Sequence, residues 1–340
     1  MTSSPVSRRG TTVVELLFLL STLSLLVAVG VPEVLSADRA RQRHQCTYRL
    51  KVLAQAATYY SQTNDSWILG SPNTSGAYLT PDTLYAYGHA VQVWDFMGPL
   101  AEFFGLGFTL PPDQPANNAA LIERFNQIRN SLVFQCPANG FVANHFYGPN
   151  AGTGPMISYN TARYQLYMEG HSPYDDGVTT YPNNAEERLP DSFVPRVDRM
   201  GDLSQKVWIA DGARYSDVYT PPDYDLSVRP RWGGSFADIS SYSTMTRSWD
   251  RSRAPGNGYL GSREPRRYAF RHADNDPPVG APGDAFKLNL AFHDGHVETQ
   301  GDLTSSNPHQ WLPTGSRLGP STIFPDTRQF FGIFDTIDIN

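Results

Sequence analysis

The stretch that decides the fold opens the chain: Arg8-Arg9-Gly10-Thr11-Thr12-Val13-Val14-Glu15-Leu16-Leu17-Phe18-Leu19-Leu20, with the apolar run continuing to Val31. As a helix, Thr11 to Val31 measures about 31 Å, which matches a bilayer core of roughly 30 Å. Arg8 and Arg9 flank its N-terminal side, predicting that the leader stays in the cytoplasm and the rest of the chain lies beyond the membrane. Glu15 interrupts the run. A carboxylate at a bilayer centre costs about 2.5–3.5 kcal/mol, so it needs a partner or a reason to be there. A cleaved secretory signal fits poorly, because its apolar core spans roughly 7–15 residues and ends in an A-x-A-like cut. The nearest candidate, Leu35-Ser36-Ala37, places a bulky residue where a small one is wanted. A plain membrane anchor and a buried core helix are the other readings of the run.

Arg8, Arg9, Gly10 and Glu15 together resemble the processing site of type IV pilins and pseudopilins, with Glu15 fifth after the cut. The resemblance implies cleavage after Gly10 by a prepilin peptidase and a new α-amine on Thr11, cationic at neutral pH. Glu15 of one subunit would then neutralise the Thr11 amine of the next and set the axial stagger of a helical filament. The family usually begins its mature chain with a methylated phenylalanine, so Thr11 departs from the pattern. Pro32 stands where pilin helices often carry a proline, and it removes one backbone hydrogen bond at the membrane exit.

More landmarks lie downstream. Cys46-Thr47-Tyr48-Arg49-Leu50-Lys51, Cys136-Pro137 and Leu290-Ala291-Phe292-His293-Asp294-Gly295-His296-Val297 look like the helix, mid-chain and C-terminal motifs of one large pseudopilin group. That group is named for a histidine, a nine-residue gap and an Asp-Gly ending. Here the gap from His272 to Asp294 holds 21 residues, with a Pro/Gly/Asp-rich insert around Asp274 to Asp284.

The organisation expected is a leader over 1–10, an assembly helix over 11–31, an amphipathic continuation over 32–62 and a globular head over 63–340. One long helix is predicted from about Thr12 to Gln62, ended by the turn residues Asn64-Asp65-Ser66. Its second half carries an apolar stripe of Cys46, Leu50, Leu53, Ala57 and Tyr60 at steps of four and three, the face expected to pack on the head. Arg39, Arg41, Arg43, Arg49 and Lys51 lie on or near the polar side, to meet lipid headgroups, acidic neighbours or solvent. A second helix is predicted over 117–130, and a short strand over 132–136. Lys206 to Ala210 before Asp211-Gly212, and Lys287 to His293 before Asp294-Gly295, each read as a strand entering a tight turn. The predicted fold is α+β and pilin-like: a protruding N-terminal helix packed on an antiparallel sheet with long loops.

The formal charge is −6, which becomes −8 once the two leader arginines are lost, against bulk nucleic-acid binding by net charge. The 28 glycines and 27 prolines exceed the roughly 12% of average usage, so the head should be rich in loops. Cys46 and Cys136 admit a disulfide in an exported protein, or two buried thiols packing as small hydrophobes.

Candidate chemistry is sparse. His293, Asp294 and His296 with His272 and Asp274 carry zinc-ligand types, but two of the histidines flank a tight turn and no third ligand has a recognisable spacing. Asp274, Asp276 and Asp284 share one acidic loop whose oxygens suit calcium, and related pseudopilins hold calcium in a C-terminal loop. Gly170-His171-Ser172-Pro173-Tyr174 lacks the closing glycine of a nucleophile elbow, so no enzyme activity is expected. Seven arginines between Arg247 and Arg271, interleaved with Trp249, Tyr259 and Tyr268, offer a surface for DNA or acidic glycan.

The expected function is that of a structural subunit of a type IV pilus or type II secretion-like pseudopilus. Its partners would be the peptidase, copies of itself and other pilins, an inner-membrane assembly platform, and lipid before assembly. Its place would be the cytoplasmic membrane, single-pass with the head outside, then a periplasmic or surface filament. The alternative expectation is a membrane-tethered module that binds glycan or DNA without polymerising.

Overall fold

A single α-helix, α1, runs from Val13 to Thr63, 51 residues, in the computed structural model of the chain. The structure describes residues 12–74, 91–92, 94–106, 118–168, 186–213, 223–227, 236–244, 268–274, 277 and 283–340. Thr12 caps helix α1, which passes through Pro32 without a break. It stops where sequence chemistry says it should: Asp65 and Ser66 take left-handed backbone angles of 49° and 62°, and the Ser66 N–H returns to the Ser61 carbonyl. From Val13 to Leu35 nearly every large apolar side chain faces outward, with Phe18 68% and Leu26 70% exposed. From Cys46 onward one stripe is buried: Cys46, Leu50, Leu53, Ala54, Ala57 and Ser61. Four of the five residues of the predicted stripe are among them, and Tyr60 packs half-buried beside the core.

The rest is α+β. Helix α2 covers Asn118–Asn130, with short helices α3 at Asp302–Ser305 and α4 at Pro325–Phe331. The strands in chain order are β1 Val142–Tyr147, β2 Gly154–Pro155, β3 Tyr159–Ala162, β4 Glu187–Arg188, β5 Val207–Asp211 and β6 Asp223–Asp225. They continue with β7 Ala237–Asp238, β8 Lys287–Phe292, β9 Val297–Gly301, β10 Arg317–Leu318 and β11 Ile337–Asp338.

Helix α1 lies across a five-stranded sheet of order β7-β3-β5-β8-β9, touching β5, β8 and β9. Strand β5 is buried at every position and β8 at all but its first, so β5 reads as a near-continuous apolar run while β8 buries Asn289 among its apolar residues. Two three-stranded sheets, β2-β1-β6 and β11-β10-β4, are the other sheets among the described residues.

Three expectations are corrected here. The sheets are mixed, because β3 pairs parallel with β7 and β1 pairs parallel with β6. Both partners arrive after long crossovers, which permit either direction, whereas a short hairpin forces antiparallel pairing. Residues Leu132–Phe134 form a 3-10 turn rather than a strand, closed by the Gln135 N–H on the Leu132 carbonyl. Asp211-Gly212 is no hairpin turn, since Asp211 is the last residue of β5 and sits opposite Tyr159, while the Gly212 N–H donates to Ser158.

The Asp294-Gly295 turn is where expected. Strands β8 and β9 pair from Lys287 opposite Gly301 to Ala291 opposite Val297. Gly295 takes φ +92°, a region that costs a Cβ-bearing residue about 1–2 kcal/mol.

Candidate functional site

Three features of the molecule bear on function: the exposed rod, its joint to the head, and a polar cluster inside that joint.

At the tip of the rod, Glu15 closes a capping box. The Glu15 N–H donates to Thr12 Oγ1 at 3.3 Å, and the Thr12 N–H donates to Glu15 Oε2 at 2.8 Å. The pattern Thr-x-x-Glu before an apolar run is the sequence form of this motif, so the partnership was readable, though it was overshadowed by the carboxylate's place in the apolar run. Gly10 and Thr11, the expected processing residues, lie outside the described residues.

The joint is held by arginines. Arg39 donates to the Asp274 carbonyl at 3.0 Å, and Arg43 reaches the His272 carbonyl at 3.3 Å and the Asp274 carboxylate at 2.5 Å. Arg49 donates to the Gln135 carbonyl at 2.7 Å. Three of the five basic residues assigned to a solvent- or lipid-facing side therefore bind the protein's own head. Arg41 instead pairs with Asp38 along the helix.

Beneath these arginines, α1 brings Cys46 against the end of β5. Its sulfur lies 3.1 Å from Asp211 Oδ1 and 3.4 Å from the Tyr159 hydroxyl. Asp211 Oδ2 is 3.1 Å from His272 Nε2, which is 3.5 Å from the sulfur of Cys136. One donor atom from each of Cys46, Cys136, Asp211 and His272 falls within 4.8 Å of all the others. All four residues are buried, and both cysteines are free. The helix and the mid-chain cysteine segment thus bring their two sulfurs into one buried cluster.

The cluster's electrostatics follow from its neighbours. Burial pushes the Asp211 carboxyl up, but His272, Arg271 and the Asn289 N–H together outweigh it and hold it below the usual carboxylate range. Burial lowers His272, yet Asp211 and Cys136 lift it to about 9. Burial, reinforced by Cys136 and Asp211, pushes the Cys46 thiol well up. Arg271 stands 3.9 Å from Asp211 and donates to the Ser158 and Gly212 carbonyls. Sequence reasoning missed Asp211 and Tyr159. In the sequence Asp211 reads as a turn residue because it precedes glycine.

The histidines of the C-terminal motif part company. The His272 N–H bonds to the Lys287 carbonyl, at the opposite end of β8 from Asp294, so His272 and the Asp-Gly turn do not meet. In the turn, His296 Nδ1 lies 2.6 Å from Asp294 Oδ1 and its ring stacks on Phe292 at 4.2 Å. His293 is buried, with Nε2 2.7 Å from Gln165 Oε1. Burial, against the pull of Asp294, lowers it to about 3, so it is neutral and donates that hydrogen bond.

Of the acidic trio suited to calcium, Asp274 pairs with Arg43 and Lys287, and Asp284 accepts the Thr304 N–H and hydroxyl. Asp276 lies outside the described residues, as do the Gly170–Tyr174 segment and the arginine-rich stretch as far as Arg267.

The long apolar helix packed on a mixed sheet is compatible with a pilin-like architecture. Compared with protein-family models, with curated proteins and with solved structures, the chain gives no match to any of the three.

Proposed function

We propose that this chain is a pilin-like filament subunit. It is inserted once in the cytoplasmic membrane with its head outside, cut after Gly10 by a prepilin peptidase, and polymerised through α1 with copies of itself or other pilins. The observation that carries this reading is the division of α1. Its first half is exposed and, apart from Glu15 and a few hydroxyls, apolar from Val13 to Val31, with no described contact to the head, whereas its second half is docked on one stripe. A helix that only anchored a head would need lipid alone. One that assembles needs, in addition, a polar device inside the apolar half, and Glu15 is the acidic residue there.

The capping box gives Glu15 a competing local role, and the two roles separate experimentally. Glu15→Gln keeps the side-chain acceptor that a capping box needs but removes the charge. If Glu15 pairs with a neighbour's Thr11 amine, filaments sheared from cells disappear with both Glu15→Gln and Glu15→Ala. If it only caps α1, the glutamine variant assembles like the parent. Mass spectrometry of the parent chain should find Thr11 as the first residue, and a chain starting at Met1 or near Asp38 overturns the reading.

A further inference from the structure

The geometry points to a structural zinc site in which Cys46, Cys136, Asp211 and His272 ligate one ion and fasten α1 to the head. This inference does not depend on polymerisation.

The donor set decides the ion. Two thiolates, an imidazole and a carboxylate suit zinc, whereas calcium and magnesium take oxygen ligands only. The spacing decides the geometry. Tetrahedral zinc bonds of roughly 2.0–2.3 Å hold neighbouring donors about 3.3–3.8 Å apart. Cys46 Sγ lies 3.1 Å from Asp211 Oδ1, His272 Nε2 lies 3.1 Å from the other carboxylate oxygen, Oδ2, and Cys136 Sγ lies 3.5 Å from His272 Nε2. With one donor atom from each residue inside 4.8 Å of all the others, shifts of about an ångström or less bring the four to zinc-bonding distance.

The surroundings meet the needs of such a site. The Asn289 N–H, 2.7 Å from Asp211 Oδ2, fixes the carboxylate, and the Tyr159 hydroxyl stands beside the Cys46 sulfur. Outer partners of this kind orient metal ligands. Zinc with two thiolates and one carboxylate leaves one negative charge, which the Arg271 guanidinium offsets 3.9 Å away. All four protein ligands are buried and no position opens to solvent, the mark of a structural rather than a catalytic ion. The ligands come from α1, the segment after the 132–134 turn, the end of β5 and the irregular segment 268–272. One ion would therefore tie four segments that are remote in sequence, and its binding would be coupled to folding.

The test uses the full chain in detergent, kept reduced and free of chelator. Elemental analysis should find about one zinc per chain. Cobalt exchanged into the protein should give the visible bands of a four-coordinate ion together with a near-ultraviolet sulfur-to-cobalt transition. Cys136→Ser and His272→Gln should each weaken metal affinity by at least tenfold. Arg317→Gln, at an exposed ion pair with Asp338 in another sheet, leaves every ligand and its partners in place, should retain the cobalt spectrum and serves as the folded control. In the parent chain, removing the ion should lower Tm and expose both cysteines to alkylation. The inference is overturned if the reduced, folded parent takes up neither zinc nor cobalt, or if cobalt binds without the sulfur transition. A Cys46–Cys136 disulfide found by peptide mapping of protein from its native host overturns it as well.

Discussion

At the scale of the residue, His293 shows how burial sets a stability profile. The unfolded chain takes up a proton at this histidine near pH 6.5, while the folded chain resists it until about 3. Its contribution is therefore fully present above pH 6.5 and drains away as pH falls toward 3, at roughly 1.4 kcal/mol per pH unit. Urea denaturation at pH 6.5 and pH 5 should show a loss in the parent that His293→Gln removes in part. The difference between the two proteins is the readout, because buried carboxylates such as Asp95, raised to about 6 by burial, titrate in the same range with the opposite sign. None of this was legible in the sequence, where His293 is one polar letter beside an Asp-Gly turn. Its partner Gln165 sits far away in the chain and becomes a neighbour only when the sheet forms. The Asp211 cluster was hidden for the same reason. Each member has an adequate local explanation, and only the docking of α1 and two loop segments on the sheet brings them together.

At the scale of the element, α1, α2, the body of β5 and the β8–β9 hairpin are the readable parts, because each is encoded by local period or turn chemistry. The step-four, step-three stripe gave the docked face of α1, and Asp294-Gly295 gave the turn. Leu53→Ala, in the middle of that face, should cost about 2–5 kcal/mol, measured by chemical denaturation of the full chain. Gly295→Ala should cost about 1–2 kcal/mol through backbone strain alone, since an added Cβ would meet nothing closer than Thr58 Oγ1 at 3.8 Å. The parallel edge strand and the 3-10 turn before Cys136 were not readable. A two-residue strand such as β7 has no period of its own, and Leu132-Val133-Phe134 is apolar enough to suit either conformation.

At the scale of the whole molecule, the chain divides into an apolar rod that the head leaves bare and a head that owns only the last part of that rod. Deleting residues 1–37 should move the protein from the detergent fraction to the aqueous one and leave the denaturation midpoint of the head unchanged, because the head's described contacts with α1 begin at Arg39. The arginines at 39, 43 and 49 all fasten to segments on the far side of the chain, and the sulfur-rich knot lies directly underneath them. Were the rod gripped by neighbours and tugged along its length, the force would arrive at this seam as shear and be shared among several fasteners at once. Mechanical failure would then begin with sliding at the seam rather than with unravelling of the sheet behind it.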